Sequence, residues 1–286
     1  MSTNSFDSNN YKAGQRQQWD SVAAGWGKWW ETMEQITQSV SNSLIRLADI
    51  QPGQQVLDIA TGIGEPALTV ARRIGNAGKV VATDQSSQMI SIAQDRARAI
   101  GLTNVMFRVA DAEEMNFSED DFDAIVCRWG LMFLPNLETA LSSIHRMLVP
   151  NGKFATSVWE VPVKIPFFSF AVQTLHQMFQ VPPPLPGAPT LSGLAEGVLE
   201  DKMAQVGFTN IQTEEVIVNF EFSSGGEYAQ LMKDLSAPLI AMLVKQSSKQ
   251  QAKYWQTLEE TAIQKYTTPS GGVLLPSISL CVVGQR

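Results

Sequence analysis

Val56-Leu57-Asp58-Ile59-Ala60-Thr61-Gly62-Ile63-Gly64-Glu65-Pro66 is the stretch on which the fold of this chain turns. It opens as a short, mostly apolar run and passes directly into a helical pattern, so it reads as strand, turn and helix. Gly62 and Gly64 let the backbone bend sharply and approach a ligand with no side chain in the way, while the amides of the following helix point toward it. Pro66 suits a first helical position, where its missing N–H costs nothing. Twenty residues past Gly64 a second apolar run ends at Asp84, whose carboxylate can accept hydrogen bonds from ribose hydroxyls. Turn and acidic strand tip together predict a nucleoside site. Gly62, Gly64 and Ala67 also satisfy the G-x-G-x-x-A spacing of dinucleotide-binding folds, so the loop alone leaves open which nucleoside it takes.

The same rhythm continues outward. Strand-like runs at 55–60, 79–84, 104–109, 122–127 and 153–159 alternate with helical patterns at 66–74, 86–100 and 136–148. This alternation implies an α/β, doubly wound sheet of parallel strands with right-handed crossovers and helices on both faces. Burial on both faces fits the nearly unbroken apolar runs Val56 to Ala60 and Ala124 to Cys127. After Trp159 the character changes. Phe167, Phe168, Phe170 and Phe179 mix with Pro182, Pro183, Pro184, Pro186 and Pro189, which predicts a short apolar helix followed by a stiff loop. A helix is expected over 192–206, a strand over 209–222, two helices across 225–266 with a break or kink at Pro238, and a last strand over 277–283. The organisation expected is one domain over 11–286, comprising a Trp-rich helical lid (11–48), a core (50–160) and two covering insertions (161–190 and 225–270). Residues 1–10 are polar and are expected to form a disordered tail.

Composition narrows the class. The chain has 286 residues, of which 44% are hydrophobic and 17% charged, enough to bury a sizeable core. Its net charge of −7, with no basic cluster, makes nucleic acid a poor partner. Cys127 and Cys281 are too few and too far apart for a disulfide framework or a zinc site, and each lies in an apolar run. No segment has the ~20 apolar residues of a membrane span, and the N-terminus lacks the pattern of a signal peptide. No metal is expected, and the location expected is cytoplasmic.

Two further carboxylates stand near the turn. Asp58, inside the first strand, would be buried and would suit a cofactor carrying an ammonium and a sulfonium; it fits equally a cap on the loop's own amides. Asp111, at the end of the third strand, can accept from an adenine amino group or can cap a helix. With these residues the chain resembles class I S-adenosylmethionine-dependent methyltransferases, and among them the UbiE-like quinone C-methyltransferase branch. The resemblance runs through the glycine loop, Asp84, Ala110-Asp111-Ala112, Phe122 to Phe133 and Leu148 to Lys153, roughly residues 50 to 160 in order. It implies a Rossmann-like, seven-stranded, mostly parallel sheet whose last strand is antiparallel, and S-adenosyl-L-methionine as cofactor. Carried over residue by residue, it puts Asp58, Ala60, Gly62 and Gly64 near the methionine part, Asp84 on the ribose, and Gln85 and Met89 beside ribose and adenine. Asp111 and Ala112 would meet the adenine edge, and backbone around Cys127 and Arg128 would touch the methionine end. The chain departs from the family's pattern at Ala60, where a glycine is expected.

Methyl transfer from a sulfonium is an in-line displacement that rests on placing the acceptor about 3 Å from the methyl with water excluded. A base is needed only for an acceptor that holds its proton tightly, and of the two histidines His176 is the candidate, while His145 belongs to a helix packed outside the sheet. Trp26, Trp29, Trp30, Trp129, Phe167 and Phe168 are the candidate acceptor pocket, with the N-terminal helix closing over it. The aromatic and Met-rich insertions point to a small aromatic or amphiphilic acceptor. Two rival functions stand beside this one: a nicotinamide-dependent oxidoreductase on the same loop, and a non-catalytic S-adenosylmethionine-binding module.

Overall fold

Five parallel strands form the centre of the computed structural model, which describes residues 6–286: β1 (Gln55–Ile59), β2 (Lys79–Asp84), β3 (Val105–Val109), β4 (Phe122–Arg128) and β5 (Leu148–Trp159). Two long strands follow, β6 (Thr209–Phe222) and β7 (Val273–Gln285), and β7 lies antiparallel between β5 and β6. The order is β3-β2-β1-β4-β5-β7-β6. The chain therefore winds one way from β1 and then the other way from β4, and the strand ends between β1 and β4 splay into the crevice where such sheets bind ligands. Val56, Leu57 and Ile59 of β1 and Ala124 to Cys127 of β4 are all at most 1% exposed, the double-sided burial expected of central parallel strands.

Ten α-helices surround the sheet in the described residues: α1 (Ser8–Lys28), α2 (Trp30–Leu47), α3 (Ala67–Ile74), α4 (Ser87–Ala99), α5 (Leu137–Met147), α6 (Pro166–Met178), α7 (Val198–Gln205), α8 (Gly225–Leu235), α9 (Ala237–Leu243) and α10 (Ser248–Tyr266). α2 packs on β4 to β7, and its apolar stripe Met33, Val40 and Leu44 is buried there. Burying each such side chain contributes about 1.5–3 kcal/mol. α1 instead lies over the strand ends, against α4, α8 and α9.

Four expectations need correction. α1 begins at Ser8 because Asp7 caps it, accepting from the amides of Asn9 and Asn10, so ordered structure reaches into the expected 1–10 tail; residues 1–5 lie outside the described residues. The helix expected over 192–206 is confined to α7, because Gly197 at φ 87° takes a left-handed conformation that stops a helix extending backward. The region 225–266 holds three helices, with Pro238 in the first turn of α9 and the break at Ser236. β7 is longer than the expected 277–283 because β6 pairs along nearly all of it. Cys127 and Cys281 are free and buried, as expected. Among the described residues, no helix is long and apolar enough to cross a membrane and no group of His, Cys, Asp or Glu could hold a metal ion.

Candidate functional site

Asp84 organises the glycine turn. One carboxylate oxygen accepts the Gly62 amide at 2.9 Å and the other accepts the Ser86 amide at 2.9 Å, so the tip of β2 fixes both the loop after β1 and the start of α4. Gly62 at φ 55° and Gly64 at φ 109° hold conformations that disfavour a side chain. Ala60 also stands at φ 57°, which accounts for glycine being expected there and costs roughly 1–2 kcal/mol. Its methyl fits because residue 130 is glycine, where a Cβ would come within 2.5 Å of it. Burial pushes the Asp84 carboxyl up to about 6, opposed by the Ser86 and Gly62 amides and reinforced by Asp20.

Asp58 is fully buried beneath the turn. Its Oδ2 accepts the Ala67 amide at 2.9 Å, so it does cap the first turn of α3, while its Oδ1 has no partner. Desolvation pushes this carboxyl up to about 7, against the pull of the Arg128 guanidinium. The fold thus favours its protonated form, and the stability this gives at acid pH is lost as pH rises from about 4 to about 7. Asp58→Asn is expected to gain stability relative to the native chain across that window and hold the gain above it, measured as the difference in Tm at successive pH values.

α1 closes the far end of the crevice. Lys12 pairs with Asp111 at 2.7 Å and with Glu113 and Glu114, Asp20 accepts from the Ser86 hydroxyl at 2.5 Å, and the Trp19 ring meets Phe133 edge-on. Beneath it remains a cavity of about 30 Å³ lined by Lys12, Ala60, Asp84, Gln85, Asp111 and Ala112 among others. Five expected cofactor residues therefore share one small chamber. Met89 lies beside it in a separate apolar cluster of Val22, Ala23, Ile63, Met89 and Ala237, which joins α1, the glycine turn, α4 and α9. Trp26 packs against this cluster, with its indole N–H buried and unpartnered.

The other candidates are dispersed. Arg128 stands at the end of β4 with Nη1 donating to Thr37 Oγ1 and Ser41 Oγ of α2, both at 2.9 Å. Cys127 is a core residue whose carbonyl accepts from Thr156 at 2.8 Å, so that backbone oxygen is already engaged. Trp129 turns back at φ 57°, stacks on Trp159 at 4.4 Å and donates to Ser279, which makes it a brace for the strand ends. Trp29 donates to Asp234 of α8, and Trp30 is 36% exposed under the Arg96 guanidinium. Phe167 is 2% exposed and stacks on Phe220 at 3.6 Å, and the half-buried Phe168 packs on Trp159.

His176 is exposed near the end of α6, ~15 Å along the helix axis from Pro166. It lines neither of the two cavities described here. A larger cavity of about 770 Å³ lies between the start of α5 and residues 187–194, sharing Leu134 and Pro135 with the small chamber. Sequence reasoning missed Lys12, Asp20, Thr37, Ser41 and Glu65. Only Glu65 carried a local signal, a carboxylate inside the glycine turn itself; the others come from α1 and α2 through the fold.

Residues 56–152 match the family model described as "Methyltransferase domain". The Ubiquinone/menaquinone biosynthesis C-methyltransferase UbiE of Blochmanniella pennsylvanica is 40% identical over 116 residues, 40% of this chain and 46% of that protein. The chain spans about half the length of the curated relatives it matches. The YcgJ protein of Bacillus subtilis superposes with a TM-score of 0.56 at 17% identity, covering 86% of this chain and 97% of that one. Haemonchus contortus phosphoethanolamine N-methyltransferase 2, solved with phosphomonomethylethanolamine and S-adenosylhomocysteine, gives 0.57 at 18% identity, covering 93% and 57%. These structural likenesses concern the fold.

Proposed function

We propose that this chain, in which residues 56–152 form a class I methyltransferase domain like that of the UbiE enzymes, transfers a methyl group from S-adenosyl-L-methionine to a small aromatic or amphiphilic acceptor. The observation that carries the reading is the glycine turn pinned to Asp84 over a buried, half-satisfied Asp58. That arrangement fits the cofactor. Asp84 ends the strand where ribose hydroxyls are received, and Gln85, Asp111 and Ala112 line the continuation of the same chamber. The buried Asp58 carboxyl meets only the Ala67 amide and the Thr61 hydroxyl, which leaves it accepting capacity that fits a cationic tail.

Bound there, the cofactor would supply an electrophilic methyl on a sulfonium. The protein's own work is to bind, orient and exclude water. α1 covers this chamber, with Lys12 paired to Asp111, Glu113 and Glu114 at its edge, and we propose that cofactor entry requires this helix to move. Trp19, Trp26 and the Val22, Ile63, Met89 and Ala237 cluster give the crevice an apolar cover beside the glycine turn. Such a surface favours an apolar ring, and the unpaired Trp26 N–H gives it one donor for an oxygen on the acceptor. The net charge of −7 supports a small organic acceptor over nucleic acid, and two free cysteines are compatible with the reducing cytoplasm.

Incubating the protein with a metabolite extract and methyl-labelled S-adenosylmethionine is expected to give one labelled product and stoichiometric S-adenosylhomocysteine by mass spectrometry. Saturable binding of NADH in place of S-adenosylhomocysteine would overturn the reading in favour of an oxidoreductase. Binding of S-adenosylhomocysteine with no labelled product from any extract would reduce it to a cofactor-binding module.

A further inference from the structure

α1 is fastened unevenly along its length. Its C-terminal half is built onto α8: Gly25 lets the two backbones touch, since a Cβ there would overlap the Asp234 carbonyl, and the Asp234 carboxylate accepts from Lys28 at 2.7 Å and Trp29 at 2.8 Å. Val22 and Ala23 add an apolar seam with Ile63, Met89 and Ala237. Toward the N-terminus the fastenings are fewer and more polar. Trp19 meets Phe133 edge-on, Asp20 accepts from the Ser86 hydroxyl, and Lys12 reaches Asp111, Glu113 and Glu114 at 2.7, 3.3 and 2.9 Å. The Lys12 side chain is 16% exposed, against 11% for Asp111 and 4% for Glu113, so water screens these two pairs less than it screens surface pairs.

Asp111 is where this fastening meets the nucleoside chamber. Its Oδ1 accepts the Glu113 amide at 2.9 Å and its Oδ2 holds Lys12, so both oxygens are engaged inside the chain. Lys12 itself lines the chamber with Asp84, Gln85 and Ala112. An amino group of a nucleoside that donates to Asp111 therefore meets an ammonium already in place, and a charged donor holds a carboxylate more strongly than a neutral one. The acceptor side is rigid. Glu113 takes the amide and the side chain of Asn136 at 2.7 and 2.8 Å at the start of α5, so the carboxylates stay behind when Lys12 leaves.

We infer that Lys12 is an autoinhibitory latch: it closes the N-terminal half of α1 by taking Asp111, so that the closed helix and the adenine amino group compete for one carboxylate. The inference rests on the proposed cofactor and adds its regulation. Opening breaks the Lys12 pairs and turns the arm on the seam between α1 and α8. Apparent affinity for the cofactor is then the intrinsic affinity reduced by the fraction of chains whose latch is open. Whatever weakens the ion pairs raises that fraction, so salt promotes binding.

Calorimetry of the intact protein with S-adenosylhomocysteine, between about 0.05 M and about 0.5 M KCl, tests this. The ammonium and carboxylate of that ligand cancel, so its own binding changes little with salt. The native chain is expected to bind at least about threefold tighter at the high-salt end. Lys12→Met is expected to bind at least about threefold tighter than the native chain at low salt and to lose the salt dependence. Glu114→Gln removes an exposed partner outside the chamber and is expected to fall between the two. Hydrogen exchange in Lys12→Met is expected to quicken over residues 8–20 and to stay unchanged over 22–28. A native affinity that is flat or falls with salt would overturn the inference, and that series requires no variant to fold. Weaker binding by a folded Lys12→Met would also overturn it, making Lys12 a clamp on bound cofactor instead. If neither chain binds S-adenosylhomocysteine at any salt concentration, the methyl-donor reading itself fails, and the inference with it.

Discussion

Asp84→Ala is expected to raise the dissociation constant for S-adenosylhomocysteine by at least tenfold in calorimetry. Two ribose hydrogen bonds at about 1 kcal/mol each amount to about 2 kcal/mol, or about thirtyfold. The structure adds a second loss. Asp84 accepts the Gly62 and Ser86 amides, so its removal frees the turn and the first turn of α4 together. Asp84→Asn separates the two effects, because an amide oxygen can still hold one of those N–H groups but cannot serve both amides and ribose. Its expected affinity lies between the native chain and Asp84→Ala. Since burial pushes Asp84 up to about 6, native affinity is expected to weaken as pH falls below that value, where the carboxyl carries a proton and accepts less well. A dissociation constant that stays unchanged in Asp84→Ala would remove the ribose from this position.

The parts of the site that lie within one stretch of chain are legible in the sequence itself. The glycine turn, the acidic tip of β2 and the Asp111 region follow one another on the sheet's carboxyl edge, and strand and helix periodicity alone orders them. Ala60 is legible as an exception, and its φ of 57° supplies the reason. Side chains on the covering helices are not. Trp26, Trp29 and Trp30 are neighbours in sequence, yet the helix boundary at Trp29 sends one toward the glycine turn, one onto Asp234 and one into solvent beneath Arg96. The same limit hides Lys12, whose pairing with Asp111 joins residues far apart in the chain and depends on how α1 lies across the strand ends. His176 illustrates the converse case. An apolar insertion supplied the composition of a pocket, but α6 buries Phe167, Phe170, Ala171, Thr174 and Leu175 and turns the histidine outward.

Phe167 offers the sharpest test of core against pocket. Its ring is stacked between the β6 aromatics and α8, at 3.6 Å from Phe220 and 5.8 Å from Tyr228, and its carbonyl accepts the buried Tyr228 hydroxyl at 2.8 Å. Its amide donates to Ser277 Oγ of β7, so the first turn of α6 is anchored to the sheet through this residue. Phe167→Ala removes the ring but leaves the backbone anchors, and the packed surroundings cannot collapse fully into the space. The expected cost is about 3–5 kcal/mol, seen as a lower midpoint in urea with little change in slope. A ring that lined an acceptor pocket would give the opposite signature, with stability preserved and KM for the acceptor raised. Because α6, β6 and α8 all meet at Phe167, the loss should propagate to the cover: α8 also carries Asp234, which holds Lys28 at the end of α1 and Trp29 just after it. Hydrogen exchange of the α1 amides is therefore expected to quicken in Phe167→Ala, because α1 packs against α8.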